Sequence, residues 1–318
     1  MHKLLFLGYS NLIKGRIIPI LDRLAISDYA IAKYERQDWD DNNCLNGRLL
    51  FDNYEDALQA FDGDLVYVSM VNSAHYTYGK KALERGYNVI IDKPATLTFE
   101  ETNELVNIAR SKKLLVCEST VYLSHPQFAV IEKVYKNNHD SPKLLTVHFT
   151  MPPFSPNNFR YRKELGGGAI MDTISYAISV SRHFFKDFPL SVSININEVN
   201  EDGLEIEYSL MMNFPQGKSM VGHFGFNTEY LNQILILGNR TNISIDRVFT
   251  IPENLENTLI ITHMNEHSII KTPCGNNFEL YLRDILESLD NHDYEKYYSA
   301  MLYDAEVKSL IINNVKTK

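Results

Sequence analysis

A lysine straight after a buried apolar run, between an acidic residue and a proline, is placed at the carboxyl edge of a sheet, where it can meet a bound ligand. The chain carries one at Asp92-Lys93-Pro94, directly after N-V-I-I. In parallel sheets, ligands sit beyond the carboxyl ends of the strands. Pro94 fixes its own φ and biases Lys93 towards extended backbone, which aims the ammonium. A solvated lysine at a strand end is the plainer alternative. The second cluster is F-R-Y-R-K-E-L-G-G-G-A-I-M-D-T-I-S-Y-A, Phe159 to Ala177. Asp172 and Tyr176 are four residues apart and share a helix face, with Ser175 and Ser179 widening the polar stripe. Ile170, Ile174, Ala177 and Ile178 supply the apolar surface beside it. The three glycines Gly166–Gly168 allow close backbone approach and unusual dihedrals just before that helix. An Asp and a Tyr aimed at one spot make an acid/base platform, and an amphipathic surface helix is the alternative.

A third feature is the turn G-Y-S-N-L-I-K-G, Gly8 to Gly15. Glycines in such a turn let a pyrophosphate approach backbone N–H groups at a helix N-terminus. The full G-x-G-x-x-G is missing, because Ser10 and Ile13 stand where the second and third glycines belong. Both a cofactor turn and a plain strand–helix turn fit this stretch. The ten histidines contain no H-E-x-x-H and the cysteines no C-x-x-C, so no metal site is expected. Cys117, on an apolar strand, reads as core.

The elements that must position these residues follow from periodicity. Lys3–Gly8, Tyr29–Lys33, Leu65–Met70, Asn88–Asp92 and Leu114–Glu118 read as strands. Between them Leu12–Leu24, Tyr54–Phe61, Ala74–Arg85 and Phe99–Lys112 read as helices. Apolar strands separated by helices imply a doubly wound parallel sheet, the Rossmann-like α/β fold. Further along, Ser191–Glu198 alternates with period two, followed by strands at Leu204–Leu210, Ser219–Phe226, Leu231–Leu237, Asn242–Ile245 and Asn257–Thr262. These predict an α+β domain with a large, mostly antiparallel open sheet. Helices at Ala169–Phe185 and Phe278–Leu289 flank it. The expected domains are 1–118 for a dinucleotide and 119–318 for substrate and oligomerisation. Glu35–Arg48 is polar, and its helix is missing.

With 318 residues, two domains fit. A net charge of −9 argues against a nucleic-acid partner. The apolar run Leu4–Leu7 is too short for a signal peptide, and no stretch is long enough for a membrane helix, so a cytoplasmic location is expected. An apolar open sheet face favours a homodimer or homotetramer.

Taken together, the motifs resemble the Gfo/Idh/MocA oxidoreductase family over nearly the whole chain. The family's E-K-P appears as Asp92-Lys93-Pro94. Its G-G-G-x-x-x-D-x-x-x-H runs from Gly166 through Asp172, with Tyr176 in place of the histidine. That exchange resembles the branch that reduces keto groups of nucleotide-activated deoxysugars. Asn158–Gly168, Ser124–Gln127 (S-H-P-Q) and Asp246–Pro252 (D-R-V-F-T-I-P) resemble it as well. The resemblance implies NADP(H), with NAD(H) as the alternative, and a sugar or nucleotide-sugar substrate. It assigns Gly8, Ser10, Asn11, Leu12, Lys33, Arg36, Asn72, His75, Asp92 and Lys93 to the cofactor. Tyr122, His125, Arg160, Asp172 and Tyr176 go to the substrate, and Lys93, Tyr176 and Asp172 to catalysis. Lys33 and Arg36 suit a 2′-phosphate, whereas Glu35 would suit NADH. In this scheme Tyr176 donates the proton, and a Lys93 ammonium would bring its phenol down from about 10. Competing expectations are a sugar or cyclitol dehydrogenase, an imine reductase, and a cofactor-binding sensor without catalysis.

Overall fold

Strands that are apolar at every position belong inside a sheet covered on both faces, and the first half of the chain is built that way. A computed structural model of the protein describes residues 2–34 and 48–315. Its strands Leu4–Leu7 (β1), Tyr29–Ala32 (β2), Leu49–Phe51 (β3), Leu65–Val68 (β4), Asn88–Ile91 (β5) and Val116–Glu118 (β6) form one sheet in the order β3-β2-β1-β4-β5-β6. Every pairing in it is parallel. β1, β2 and β4 are buried throughout. This is the doubly wound order, and it reverses direction between β1 and β4. The helices are Tyr54–Ala60 (α1), His75–Glu84 (α2) and Phe99–Lys112 (α3). Thr98 and Glu101 begin α3 with a reciprocal capping box.

The helix expected over Leu12–Leu24 is not a single α-helix. A wide π-type turn at Ile13–Ile17 gives way to tight 3-10 turns at Ile18–Ile20 and Asp22–Leu24. Pro19 stands at the start of the second piece and has no N–H for an α ladder. Glu35 and Arg36, and most of the polar Glu35–Arg48 stretch, lie outside the described residues.

The second sheet holds Leu144–Thr150 (β7), Ser191–Val199 (β8), Glu205–Asn213 (β9), Ser219–Gly225 (β10), Leu231–Leu237 (β11), Thr241–Asp246 (β12), Thr258–His263 (β13) and Glu266–Lys271 (β14). Its order is β14-β13-β12-β11-β7-β10-β9-β8. Only β7 and β10 run parallel within it. The helices of this half are Gln127–Asn137 (α4) and Ala169–Phe185 (α5), and Asn277–Asn291 (α6) and Glu295–Asn313 (α7) close the chain. α5 packs on β7, β9 and β10. The buried side chains there include Ile170, Ile174, Ala177 and Ile178 from the helix, and Phe149, Tyr208 and Phe224 from the sheet. His263 and His267 fall on opposite arms of the β13–β14 hairpin. Among the described residues no cluster of His, Cys, Asp or Glu could hold a metal ion, and no helix is long and apolar enough to cross a membrane.

The chain divides into a unit of Met1–Ser119 with Tyr281–Leu302, and a unit of Thr120–Leu280 with Tyr303–Lys318. The sequence reading left everything after 118 in the second domain, whereas the chain returns to the first over Tyr281–Leu302. Polar anchors explain the return. The Tyr281 hydroxyl donates to the Glu118 carbonyl at 2.9 Å, the Tyr298 hydroxyl donates to the Leu114 carbonyl, and Arg110 pairs with Glu295 at 2.6 Å.

In the second unit Asp140 receives backbone N–H groups from Ser141, Asn239, Arg240 and Thr241 at 2.8–3.0 Å. Burial pushes its carboxyl up, but the four donors outweigh burial and hold it at about 2. The folded value lies below the unfolded one of about 3.9, so the stabilisation is present above about pH 4 and is lost as pH falls towards about 2. Denaturant titrations of wild type and Asp140→Asn should therefore differ near neutrality and converge in acid.

Candidate active site

The first unit gathers several expected site residues at the carboxyl edge of its sheet. Ser10 follows β1, its hydroxyl lies 2.8 Å from that of Ser69 at the end of β4, and it caps the next helical turn by accepting the Ile13 N–H. Ser69 in turn donates to Asp92. Asp92 also accepts the Tyr67 hydroxyl at 2.8 Å and the Ser119 hydroxyl at 3.2 Å. Burial, and then the Asp92 charge, push the Tyr67 phenol well above its ordinary value, so it stays a donor. The shorter carboxylate in place of the family's glutamate is thereby fixed by three hydroxyls, from β4 and from the residues directly after β4 and β6. Beyond it, the Ala95 N–H donates to Glu118 at 2.7 Å. Lys93 lies between these fixed points and is partly exposed, and its peptide bond to Pro94 is cis.

Three residues take positions other than the sequence reading gave them. Gly8 has φ +107°, and a Cβ there would stand 1.9 Å from the Ser69 carbonyl oxygen. Its missing side chain lets the ends of β1 and β4 approach, which is a demand of the chain itself. His75, expected at the cofactor, is wholly buried, with Nδ1 2.8 Å from the Pro94 oxygen and Nε2 3.1 Å from the Met70 oxygen. Tyr122, expected on the substrate, is 2 % exposed, with its hydroxyl 2.6 Å from that of Ser179. Burial raises its phenol, and the ring backs Tyr176 instead.

The other described cofactor candidates follow the carboxyl ends of β1, β2 and β4. Asn11 is exposed, and Asn11 and Leu12 open the helical turn that Ser10 caps, where N–H groups have no partner within the helix. Asn72 begins the short turn after β4. Lys33 directly follows β2 and is 6 % exposed, with its ammonium 3.7 Å from the exposed Asp52 carboxylate. Small residues at a switch-point turn, together with a cation at the end of the second strand, fit a phosphate-bearing dinucleotide.

The second unit holds the other candidates. The glycines fit because the loop before α5 closes on itself. A Cβ on Gly167 would meet the carbonyl oxygens of Phe159, Arg160 and Arg162 within 2.7 Å, and one on Gly168 would meet the Glu205 carboxylate at 2.3 Å. Gly166 and Gly168 also have φ of +74° and +106°. This folding brings the Arg160 Nε within 2.9 Å of the buried Asp172 carboxylate, so the two form one charged pair. The guanidinium also lies over the Phe154 and Phe159 rings. One turn along α5, Tyr176 is ringed by Phe149, Phe249 and Tyr122, with centroids 4.7, 4.8 and 5.7 Å away. His125 is 1 % exposed, and burial lowers its imidazole to about 4, so it is neutral. Its Nδ1 accepts the Gln127 N–H, which puts its proton on Nε2.

The motif reading missed Ser69, Ser119 and Glu118, which fix the lysine turn, and Phe149 and Phe249, which box Tyr176. Serine directly after the apolar run L-V-Y-V was the available signal for Ser69. Phe249 lies inside D-R-V-F-T-I-P.

A family description, "Oxidoreductase family, NAD-binding Rossmann fold", matches residues 29–120, and the Gfo/Idh/MocA C-terminal domain matches 141–244. The chain belongs to the Gfo/Idh/MocA oxidoreductase family. Among curated relatives, dTDP-3,4-didehydro-2,6-dideoxy-alpha-D-glucose 3-reductase of Saccharopolyspora spinosa is 33% identical over 201 residues. That match spans 63% of this chain and 60% of the relative's length. The protein of the same name from Actinomadura kijaniata is 22% identical over 98% of this chain and 93% of its own. In fold, the chain superposes on the 3-ketoreductase of Actinomadura kijaniata in complex with NADP and TDP-benzene with a TM-score of 0.89, at 21% identity over 98% and 97% of the two chains.

Proposed function

We propose that this member of the family is an NADPH-dependent reductase of a keto group on a nucleotide-activated deoxysugar. The observation that carries the reading is the lysine turn, whose neighbours Asp92 and Ala95 are tied to the sheet and so fix the backbone from which the lysine side chain extends. The relatives named as dTDP-sugar 3-reductases, and the tyrosine in place of the family histidine, support the choice of substrate. When bound, the dihydronicotinamide supplies a hydride to the carbonyl carbon. Lys93 supplies positive charge to the oxygen that becomes an alkoxide, and Tyr176 passes its hydroxyl proton to that oxygen. The aromatic box keeps the Tyr176 ring in one orientation, and the Arg160–Asp172 pair orients sugar hydroxyls. Ser10, Asn11, Leu12 and Asn72 would hold the pyrophosphate side of the cofactor. Lys33 would face the 2′-phosphate.

Thermal shift with NADPH and NADH tests the cofactor half of this reading. A cofactor at a hundred times its Kd stabilises by about 2.7 kcal/mol. NADPH should raise Tm more than NADH, and Lys33→Ala should narrow that difference. Failure of both cofactors to shift Tm would end the proposal. Binding of NADPH without turnover of any nucleotide ketosugar would favour a sensor.

We also propose that the second sheet's open face pairs copies of the chain. Ile260 and Ile269 sit opposite each other on β13 and β14 and are 54% and 67% exposed. Ile269→Lys should lower the mass seen by light scattering towards that of a monomer. An unchanged mass would remove this face from the assembly.

A further inference from the structure

We propose that His75 is the positioning residue for Lys93, clamping the turn that carries the lysine to the loop after β4. The inference rests on the catalytic reading of Lys93 given above. The Pro94 carbonyl immediately follows Lys93, and the Met70 carbonyl follows β4, the neighbouring strand. His75 is fully buried and sets Nδ1 against the first at 2.8 Å and Nε2 against the second at 3.1 Å. Carbonyl oxygens only accept, so a hydrogen bond to either needs a proton on the facing ring nitrogen. A neutral imidazole has one such proton and turns a lone pair towards the other carbonyl. Burial disfavours the charged ring, so His75, at 0% exposure, donates one hydrogen bond to one of the two strand ends and packs its other edge against the second.

A ring that merely filled space here could be phenylalanine. The two carbonyls make it a polar clamp, and the other fastenings of the turn have the same purpose. Asp92 takes three hydroxyls and the Ala95 N–H is taken by Glu118. With His75 on Pro94, the residue before Lys93 and the two after it are all held by side chains from elsewhere in the first unit. The lysine therefore starts from a fixed backbone. Displacing a catalytic group by about 1 Å can cost about 100-fold in rate.

The first test is nitrogen-15 correlation NMR of the histidine rings in the intact protein, with His75 assigned by the signals that vanish in His75→Gln. One slowly exchanging ring N–H is expected, and a ring whose N–H exchanges freely with solvent would overturn the clamp. The second test compares steady-state kinetics of His75→Phe, His75→Gln and Lys93→Ala. His75→Phe should lose kcat by about 100-fold, with the KM for NADPH within threefold of wild type. His75→Gln, which keeps amide donors, should recover part of the loss. Wild-type kcat in His75→Phe beside an inactive Lys93→Ala would overturn the clamp alone. Full activity in Lys93→Ala would overturn the catalytic reading instead. Should His75→Phe not fold, the glutamine variant and the NMR of the native protein decide.

Discussion

Replacing Lys93 by alanine should lower kcat by about a thousandfold, the upper end of what one preorganised electrostatic contact to a developing oxyanion is worth. That is about 4 kcal/mol of transition-state stabilisation. Tyr176→Phe should cost less, about 100-fold, the lower end of what a positioned proton donor contributes, because water can replace a proton source and cannot replace a fixed charge. Both variants should bind NADPH as wild type does, since the change falls on the reacting oxygen. Single-turnover rates at saturating cofactor, with the nucleotide ketosugar as hydride acceptor, are the measurement. A Lys93→Ala enzyme of normal affinity and normal rate would remove the lysine from the chemistry. An order reversed between the two variants would make the tyrosine the principal stabiliser.

Gly8→Ala should strongly destabilise the protein before any cofactor is added. The new methyl would stand 1.9 Å from the Ser69 carbonyl oxygen, a backbone atom that cannot rotate away, at φ +107°. Backbone strain of about 1–3 kcal/mol and overpacking of a similar size combine to about 4 kcal/mol. At about 2–4 °C per kcal/mol, the cofactor-free Tm should fall by about 10 °C. A glycine serving only the pyrophosphate behaves differently: its alanine variant keeps the apo Tm and loses NADPH affinity. Differential scanning calorimetry with and without NADPH separates the two. An unchanged apo Tm would return Gly8 to the cofactor.

The contrast at Gly8 shows where reading residues in order runs out. The apolar runs of β1, β2, β4 and β5 were legible because burial on both faces leaves a continuous hydrophobic pattern. α5 and β8 were legible because their periods of 3.6 and 2 are uninterrupted. β3 was missed because three residues carry too little pattern. α7 was missed because polar residues are spread around the whole helix, among them Lys308 and Asp304, which are themselves buried. Asp304 is held there by Arg182 at 2.7 and 2.9 Å, a pairing across 122 residues that no local pattern announces.

The sequence by itself determined the two sheets and the residues able to do the chemistry, Lys93 at a strand end and Asp172 with Tyr176 on one helix face. It also determined the kinship that names a hydride-transfer reaction. These are properties of neighbouring residues, so residue type and period express them. The tertiary structure decided what holds those residues. It put Tyr67, Ser69 and Ser119 on Asp92, His75 on the Pro94 carbonyl, Arg160 on Asp172, and Phe149 and Phe249 around Tyr176. Each of these contacts joins strands or loops far apart in the chain. Each depends on distances of about 3 to 5 Å that only the packing of the sheet and helices can set.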